Sequence, residues 1–316
     1  MKSILIYNSG GGLGDSIQLF SLILSLKKHF DKTKFYYLGA HENHFNSKLK
    51  EFNIHIDTLD IKIKYFGFRF WHFFLAKKEF KKNNYEKINL IIDLQSKLRN
   101  SLILKQIPHD LFYSATLNYK FCSNKKNYKD KNHFNNLNLF LGTNLKIEEY
   151  KIANIDQKII EEAKKLLPDN NYAGFSLTQG NLYRKKSWSI DNFILLANEI
   201  IKIGKKPVFF IDKDEKLIKQ IKSNIPQALF PEQNSNFKCP ALVTALASRL
   251  SIAITIDNGI MHMMSLAKIP MIVLFGPTNS EKFAPKYENI KILDSKKIYN
   301  SEDINLITVN DVLKEI

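Results

Sequence analysis

Short, unbroken apolar runs alternate along this chain with longer segments whose apolar residues recur every three or four positions. The runs are 2–7 (KSILIY), 34–38 (KFYYL), 88–92 (INLII), 172–176 (YAGFS), 206–210 (KPVFF), 252–256 (IAITI) and 270–274 (PMIVL). Several are continuously hydrophobic and β-branched, the pattern of strands covered on both faces of a parallel sheet. The amphipathic segments at 15–30, 156–167, 189–203, 214–223, 239–249 and 259–268 have helical periodicity. Strand–helix alternation of this kind predicts a doubly wound α/β architecture. Two such series, with a Lys/Asn-rich middle at 118–138 and a linker near 142–155, predict two α/β domains, 1–152 and 153–316, facing a central cleft. The final helix is free to pack back on the first domain. No internal repeat stands out, and the bias of 118–138 reads as a poorly ordered loop.

Composition narrows the class. With 44% hydrophobic and 25% charged residues over 316 positions, the chain is globular and not disordered. No apolar run reaches the ~18 residues needed to span a bilayer. The opening MKSILIYNSGGG reads as a first strand running into a glycine turn, not as a signal peptide. Two cysteines, Cys122 and Cys239, are too few for a disulfide framework or a four-ligand zinc site, so a reducing, cytoplasmic compartment is expected. The net charge of +16 is uneven: residues 1–150 hold 24 basic and 13 acidic side chains, a net of +11. That excess points to an anionic partner on the first half: nucleic acid, phosphorylated lipid or a membrane surface.

The first strand enters Ser9-Gly10-Gly11-Gly12-Leu13-Gly14-Asp15 and then a helix. A dinucleotide fingerprint needs glycine five residues after Gly10, where Asp15 stands; a carboxylate there would face the pyrophosphate that such a loop cradles. A phosphate-binding Walker loop also fails, for want of a following Gly-Lys-Ser/Thr. What remains is a glycine turn delivering Asp15 to the mouth of the sheet. Asp15, followed by Gln18, suits a helix N-cap with a capping-box partner. It also suits, behind the cap reading, a reactive carboxylate at the carboxyl end of a strand, and the two roles are compatible.

Four stretches in order resemble the lipopolysaccharide heptosyltransferase family, glycosyltransferase family 9. They are Gly14-Asp15 leading into Ser16–Leu22; Asp93-Leu94-Gln95 with Arg99 and Ser101; Ser176-Leu177-Thr178 with Arg184-Lys185-Lys186-Ser187-Trp188; and Asp257-Asn258-Gly259-Ile260-Met261-His262 with Pro270 and Phe275-Gly276-Pro277-Thr278. Asn258 stands where the family usually has Thr or Ser, and Ser21 where it usually has Pro. The resemblance implies the GT-B fold, two Rossmann-like domains, and an inverting enzyme. Such an enzyme moves a sugar from a nucleotide diphosphate donor, here ADP-heptose, to a lipopolysaccharide core-type acceptor. It also implies residue roles. Asp15 is the general base, and Lys186 is the cation on the departing diphosphate. Thr178, Arg184, Glu215, Asp257, Asn258, Gly259 and His262 are on the donor side; Gly14 and Arg99 are on the acceptor side. His262 can alternatively be a buried histidine of the turn.

Asp212-Lys213-Asp214 spells the D-x-D of metal-dependent transferases, while Asp214 or Glu215 could instead meet a nucleotide ribose. With Lys186 available for the diphosphate, no metal and no cofactor are expected. The expected partners are a nucleotide sugar, an anionic lipid-linked saccharide and peripherally the inner membrane surface. The aromatic stretch 65–76 lies within 62–87, which carries eight Lys/Arg against two Glu. It reads either as an interfacial segment or as a helix on the first sheet with a solvated basic face. The rival readings are another nucleotide-sugar enzyme of the same fold, a different transferase or an epimerase, and a basic nucleic-acid-binding protein. For the last, only charge speaks; against it, the chain has no helix-turn-helix, zinc or RNA-recognition signature.

Overall fold

A computed structural model describes residues 1–130, 132–178, 185–211 and 214–316. It divides into two compact units, Met1–Tyr150 and Lys151–Ile316. The first contains β1 (Ser3–Tyr7), α1 (Leu13–Ile17), α2 (Phe20–His29), β2 (Lys34–Leu38), β3 (Asp57–Thr58), α3 (His72–Lys82), β4 (Ile88–Asp93), α4 (Leu98–Leu104), β5 (His109–Ser114) and α5 (His133–Leu141). Its five strands are all parallel, in the order β3-β2-β1-β4-β5.

The second unit contains α6 (Gln157–Leu166), β6 (Tyr172–Ser176), α7 (Ile190–Lys202), β7 (Lys206–Phe209), α8 (Glu215–Asn224), α9 (Pro240–Ala247), β8 (Ile252–Ile256), α10 (Gly259–Ser265), β9 (Met271–Phe275), α11 (Ser280–Phe283), β10 (Ile290–Asp294), α12 (Ser295–Tyr299) and α13 (Val309–Leu313). Its parallel sheet runs β10-β9-β8-β6-β7. Both units are thus doubly wound α/β sheets, as the pattern predicts.

All seven apolar runs are strands. The three strands that the pattern does not announce, β3, β5 and β10, all lie at sheet edges. An edge strand pairs on one side only and tolerates polar positions, so Asp57–Thr58 and the exposed Lys291 and Ile292 carry little hydrophobic signal. The single helix expected over 15–30 is two, because the backbone ladder tightens at Leu19, whose N–H reaches Ser16 O (3.1 Å).

The reading of 118–138 as a poorly ordered loop is corrected. Tyr119, Cys122 and Tyr128 are buried there, Asn136 Nδ2 donates to Tyr119 Oη (2.7 Å), and Asn132 caps α5. Composition counts the lysines and asparagines, but the spacing of the tyrosines decides the packing. The last helix, α13, packs against α7, with Val312 buried in the second unit's core.

α3 turns a stripe of His72, Ala76 and Phe80 inward and packs on α4. Gly67 N–H donates to His72 Nδ1 (3.1 Å), and the imidazole stacks on Phe66 at 6.3 Å. That acceptor role needs the neutral ring. Burial, and after it the charges of Arg69 and Arg99, push the His72 pKa down from its ordinary 6.5. The unfolded chain therefore binds the proton first, so the contribution is complete above the ordinary value and is lost as pH falls below it. Unfolding in urea at neutral and mildly acidic pH should show stability declining on acidification. His72→Gln should remove part of that decline, His109 being shifted down by burial in the same sense.

Candidate functional site

In the first sheet, strand order reverses between β1 and β4, so the connections leave in opposite directions and open a crevice at their carboxyl ends. The first two motifs sit there. Asn8, directly after β1, ties them together. Its Oδ1 accepts from Gly10 N–H (3.0 Å) and from Gln95 Nε2 (2.6 Å), and its Nδ2 donates to Asp15 O (3.3 Å). Asn8 escaped the sequence reading; its signal was a polar side chain closing an apolar strand.

The expected N-cap at Asp15 is corrected. Gly12 occupies the cap, and Asp15 is the third residue of α1, its Oδ2 accepting from Gly12 N–H (3.2 Å). This is the reciprocal half of a capping box. At two of the glycines a side chain would crowd a neighbouring one. A Cβ on Gly10 would stand 2.6 Å from the Asp15 carboxyl carbon, and one on Gly11 would stand 2.4 Å from the His41 ring. Gly14 is buried within α1.

Asp93 closes the crevice from the other side but is fully engaged. It is buried, with Oδ1 accepting from the Gln95 and Ser96 amides (3.0 and 3.3 Å) and Oδ2 from the Ser101 and Ser114 hydroxyls (2.5 and 2.8 Å). Asp15 is half-buried and accepts one bond among the described residues. Arg99, on α4, lies over the rings of Phe68 and Phe70 at 5.9 and 6.0 Å, and its Nε is buried without a partner among the described residues. Beside the glycine loop, a hollow of about 480 Å³ is lined by His41, Glu42, Lys62 and Lys64 among others.

The second sheet reverses between β6 and β8, and the third and fourth motifs meet there. Asn258 spans the gap. Its Oδ1 caps α10 by accepting Met261 N–H (2.8 Å), while Nδ2 donates to Ser176 Oγ (2.8 Å) and Thr178 O (2.9 Å). Lys186 Nζ pairs with Asp257 Oδ2 at 2.5 Å, both side chains largely buried. A buried pair of this kind adds little net stability, yet removing one partner leaves a costly lone charge.

Lys186 is positioned by Trp188, which is buried, donates from Nε1 to Ile307 O (2.7 Å) and meets Phe193 edge to face at 4.9 Å. Ser189 N–H donates to Asn305 Oδ1 (2.8 Å). Nothing in the local sequence announces that residues 305–307 hold this segment. Among the described residues a Cβ at Gly259 would meet nothing within 4 Å, and His262 is buried in α10. Asp214 caps α8 through Leu217 N–H (3.0 Å), leaving Glu215 exposed in the first turn. Arg184, Asp212 and Lys213 lie outside the described residues. Among the described residues, no group of three or more His, Cys, Asp or Glu side chains is placed to hold a metal.

Two parallel sheets, each with its motifs gathered at the reversal, define the GT-B class of two-Rossmann-domain proteins. The family model of glycosyltransferase family 9 (heptosyltransferase) matches residues 75–311, and the chain belongs to that family of glycosyltransferases. Among solved structures, a glycosyltransferase family 9 protein from Veillonella parvula matches with a TM-score of 0.69 and 18% identity, covering 99% of this chain and 96% of that one. The E. coli heptosyltransferase WaaC with ADP-2-deoxy-2-fluoro heptose matches at 0.66 and 15% identity, over 99% and 98%. The E. coli ADP-heptose lipopolysaccharide heptosyltransferase II matches at 0.65 and 14%, over 100% and 97%. No curated protein sequence matches the chain significantly.

The Asn258 bridge can be tested directly. Asn258→Ala should lower stability by about 1–2 kcal/mol in chemical denaturation, from the lost cap and the lost strand-to-strand bonds. Asn258→Thr should recover the cap but not the bonds made by Nδ2.

Proposed function

We propose that the chain transfers a sugar, a heptose carried on ADP, with inversion of the anomeric centre onto a hydroxyl of a lipopolysaccharide core-type acceptor. The observation that carries this reading is the gathering of the four family motifs at the strand reversals, β1/β4 in one unit and β6/β8 in the other. The V. parvula protein and the E. coli heptosyltransferases share the fold, and one of the latter holds an ADP-heptose analogue.

Two charge problems define the chemistry. The acceptor hydroxyl loses its proton as its oxygen attacks the anomeric carbon from the face opposite ADP. The anomeric C–O bond breaks, and its electron pair stays on the departing diphosphate. Asp15 takes the proton. Of the two carboxylates at the first crevice, it has the one that is half-exposed and only singly bonded among the described residues, whereas Asp93 is surrounded by four donors. General-base catalysis of this kind contributes about 10²–10⁴-fold.

Lys186 meets the negative charge on the diphosphate, held in place beforehand by Trp188 and Asp257, so little reorganisation is needed at the transition state. Thr178, Arg184, Asp257, Asn258, Gly259 and His262 complete the donor side, with Glu215 on the ribose. Gly14 and Arg99 serve the acceptor side, where the Arg99 guanidinium suits an anionic saccharide. In this reading the transferase uses no cofactor or metal and works on the cytoplasmic side.

Asp15→Asn keeps the shape and the acceptor for Gly12 N–H, so folding should be unchanged while turnover falls about 10²-fold or more; wild-type turnover in this variant would reject the base assignment. In thermal-shift measurements with ADP, UDP, GDP and CMP, ADP should stabilise most. Saturation at 100 times the dissociation constant is worth about 2.7 kcal/mol. Lys186→Ala should reduce that shift and slow transfer together, and transfer by the wild type should continue in EDTA.

A further inference from the structure

We propose that residues 65–82 of the first unit form a docking surface for an anionic lipid bilayer. Six aromatic side chains in ten positions, Tyr65, Phe68, Phe70, Trp71, Phe73 and Phe74, are exposed, Phe70 to 75% and Phe74 to 77%. They are not needed by the core. Phe66, in the middle of the stretch, is buried, and α3 is anchored through His72, Ala76 and Phe80. Leu98 and Leu102, on the helix that α3 packs against, are also exposed. Lone exposed apolar residues are ordinary on a protein surface, whereas a run of rings is not.

The charges around the rings select the occupant. Lys64 precedes the aromatic run, and Lys77, Lys78, Lys81 and Lys82 follow it on α3, all exposed. None of the five is in an ion pair among the described residues. From 64 to 82 the one acidic residue is Glu79. A second copy of the chain docked by a two-fold axis would bring these lysines against themselves, which like-charge repulsion opposes. A bilayer with anionic head groups complements both parts: tryptophan, tyrosine and phenylalanine at the acyl boundary, lysines among the head groups. No helix among the described residues is long and apolar enough to cross a membrane, so the contact is peripheral. The segment is coupled to the first crevice, since Tyr7, the last residue of β1, donates from Oη to Phe66 O (3.1 Å), and Arg99 lies over Phe68 and Phe70. The proposal goes beyond the reading above and does not depend on which sugar or acceptor is used.

The two tryptophans supply the test, Trp71 being 57% exposed and Trp188 2%. Vesicles of phosphatidylglycerol should shift tryptophan emission to the blue and sediment the protein, while phosphatidylcholine vesicles should do neither. High salt should weaken the binding. Trp71→Phe should abolish the spectral shift and still sediment. A variant with Lys77, Lys78, Lys81 and Lys82 changed to Gln, and another with Phe70→Ser and Phe74→Ser, should each lose about tenfold or more in vesicle affinity. Their thermal unfolding should match the wild type, because every altered side chain is exposed. The proposal fails if anionic vesicles produce no shift, if neutral vesicles bind equally well, or if the variants sediment like the wild type. It fails too if the blue shift arises without lipid as protein concentration rises, which would assign the face to a second copy.

Discussion

A parallel sheet whose strand order reverses has to hold together two neighbouring strands whose following segments leave in opposite directions. The ladder of backbone hydrogen bonds ends with the strands, and what lies beyond it needs a side chain. In both units that side chain is an amide. Gln95 donates across the β1/β4 gap to Asn8, and Asn258 donates across the β6/β8 gap to Ser176 and Thr178. An amide carries both donors and an acceptor, so one residue can bond to two loops and still cap a helix or a turn. The crevices in which the motif residues gather depend on these bridges.

Within the crevices, identical residue types have different duties according to what surrounds them. Asp93 ends β4, and Asp15 stands in α1 just after the glycine turn that follows the adjacent strand β1. Asp93 is buried among two hydroxyls and two amides, and it organises the connection between β4 and α4. Among the described residues Asp15 accepts from a single amide, that of Gly12, in a glycine loop where a Cβ at Gly10 would crowd its carboxylate. In the second unit Asp257 holds a lysine and Asp214 holds a helix start. Burial and donor count, not residue identity, separate the carboxylates committed to the framework from those left with open acceptor positions.

The same accounting separates the two populations of aromatic residues. Phe66, Phe80 and Trp188 fill cores and are tied to backbone or ring partners, while Phe70, Trp71 and Phe74 face outward beside lysines. His72 belongs to the inward set although it lies within the outward run, because the helical period of α3 places it, with Ala76 and Phe80, on the buried stripe.

Much of this was legible in the chain itself. Strands buried on both faces must be apolar throughout, so all seven internal or strongly apolar strands, the doubly wound class and the two-unit plan can be read from runs and periodicity. The glycines at 10–12 with Asp15, and the Lys186 and Asp257 motifs, mark the crevices because they sit directly after such runs or before a helix. Edge strands β3, β5 and β10 were not legible, since pairing on one side leaves their composition unconstrained. Nor was the cap at Gly12 in place of Asp15, the burial of Tyr119, Cys122 and Tyr128 in the Lys/Asn-rich middle, or the hold of Asn305 and Ile307 on the Trp188 segment. Those depend on contacts between residues far apart in sequence or on the direction in which a ring points, and local pattern contains neither. The strand order, which sets where the crevices open, is likewise a property of pairing, and only the folded chain decides it.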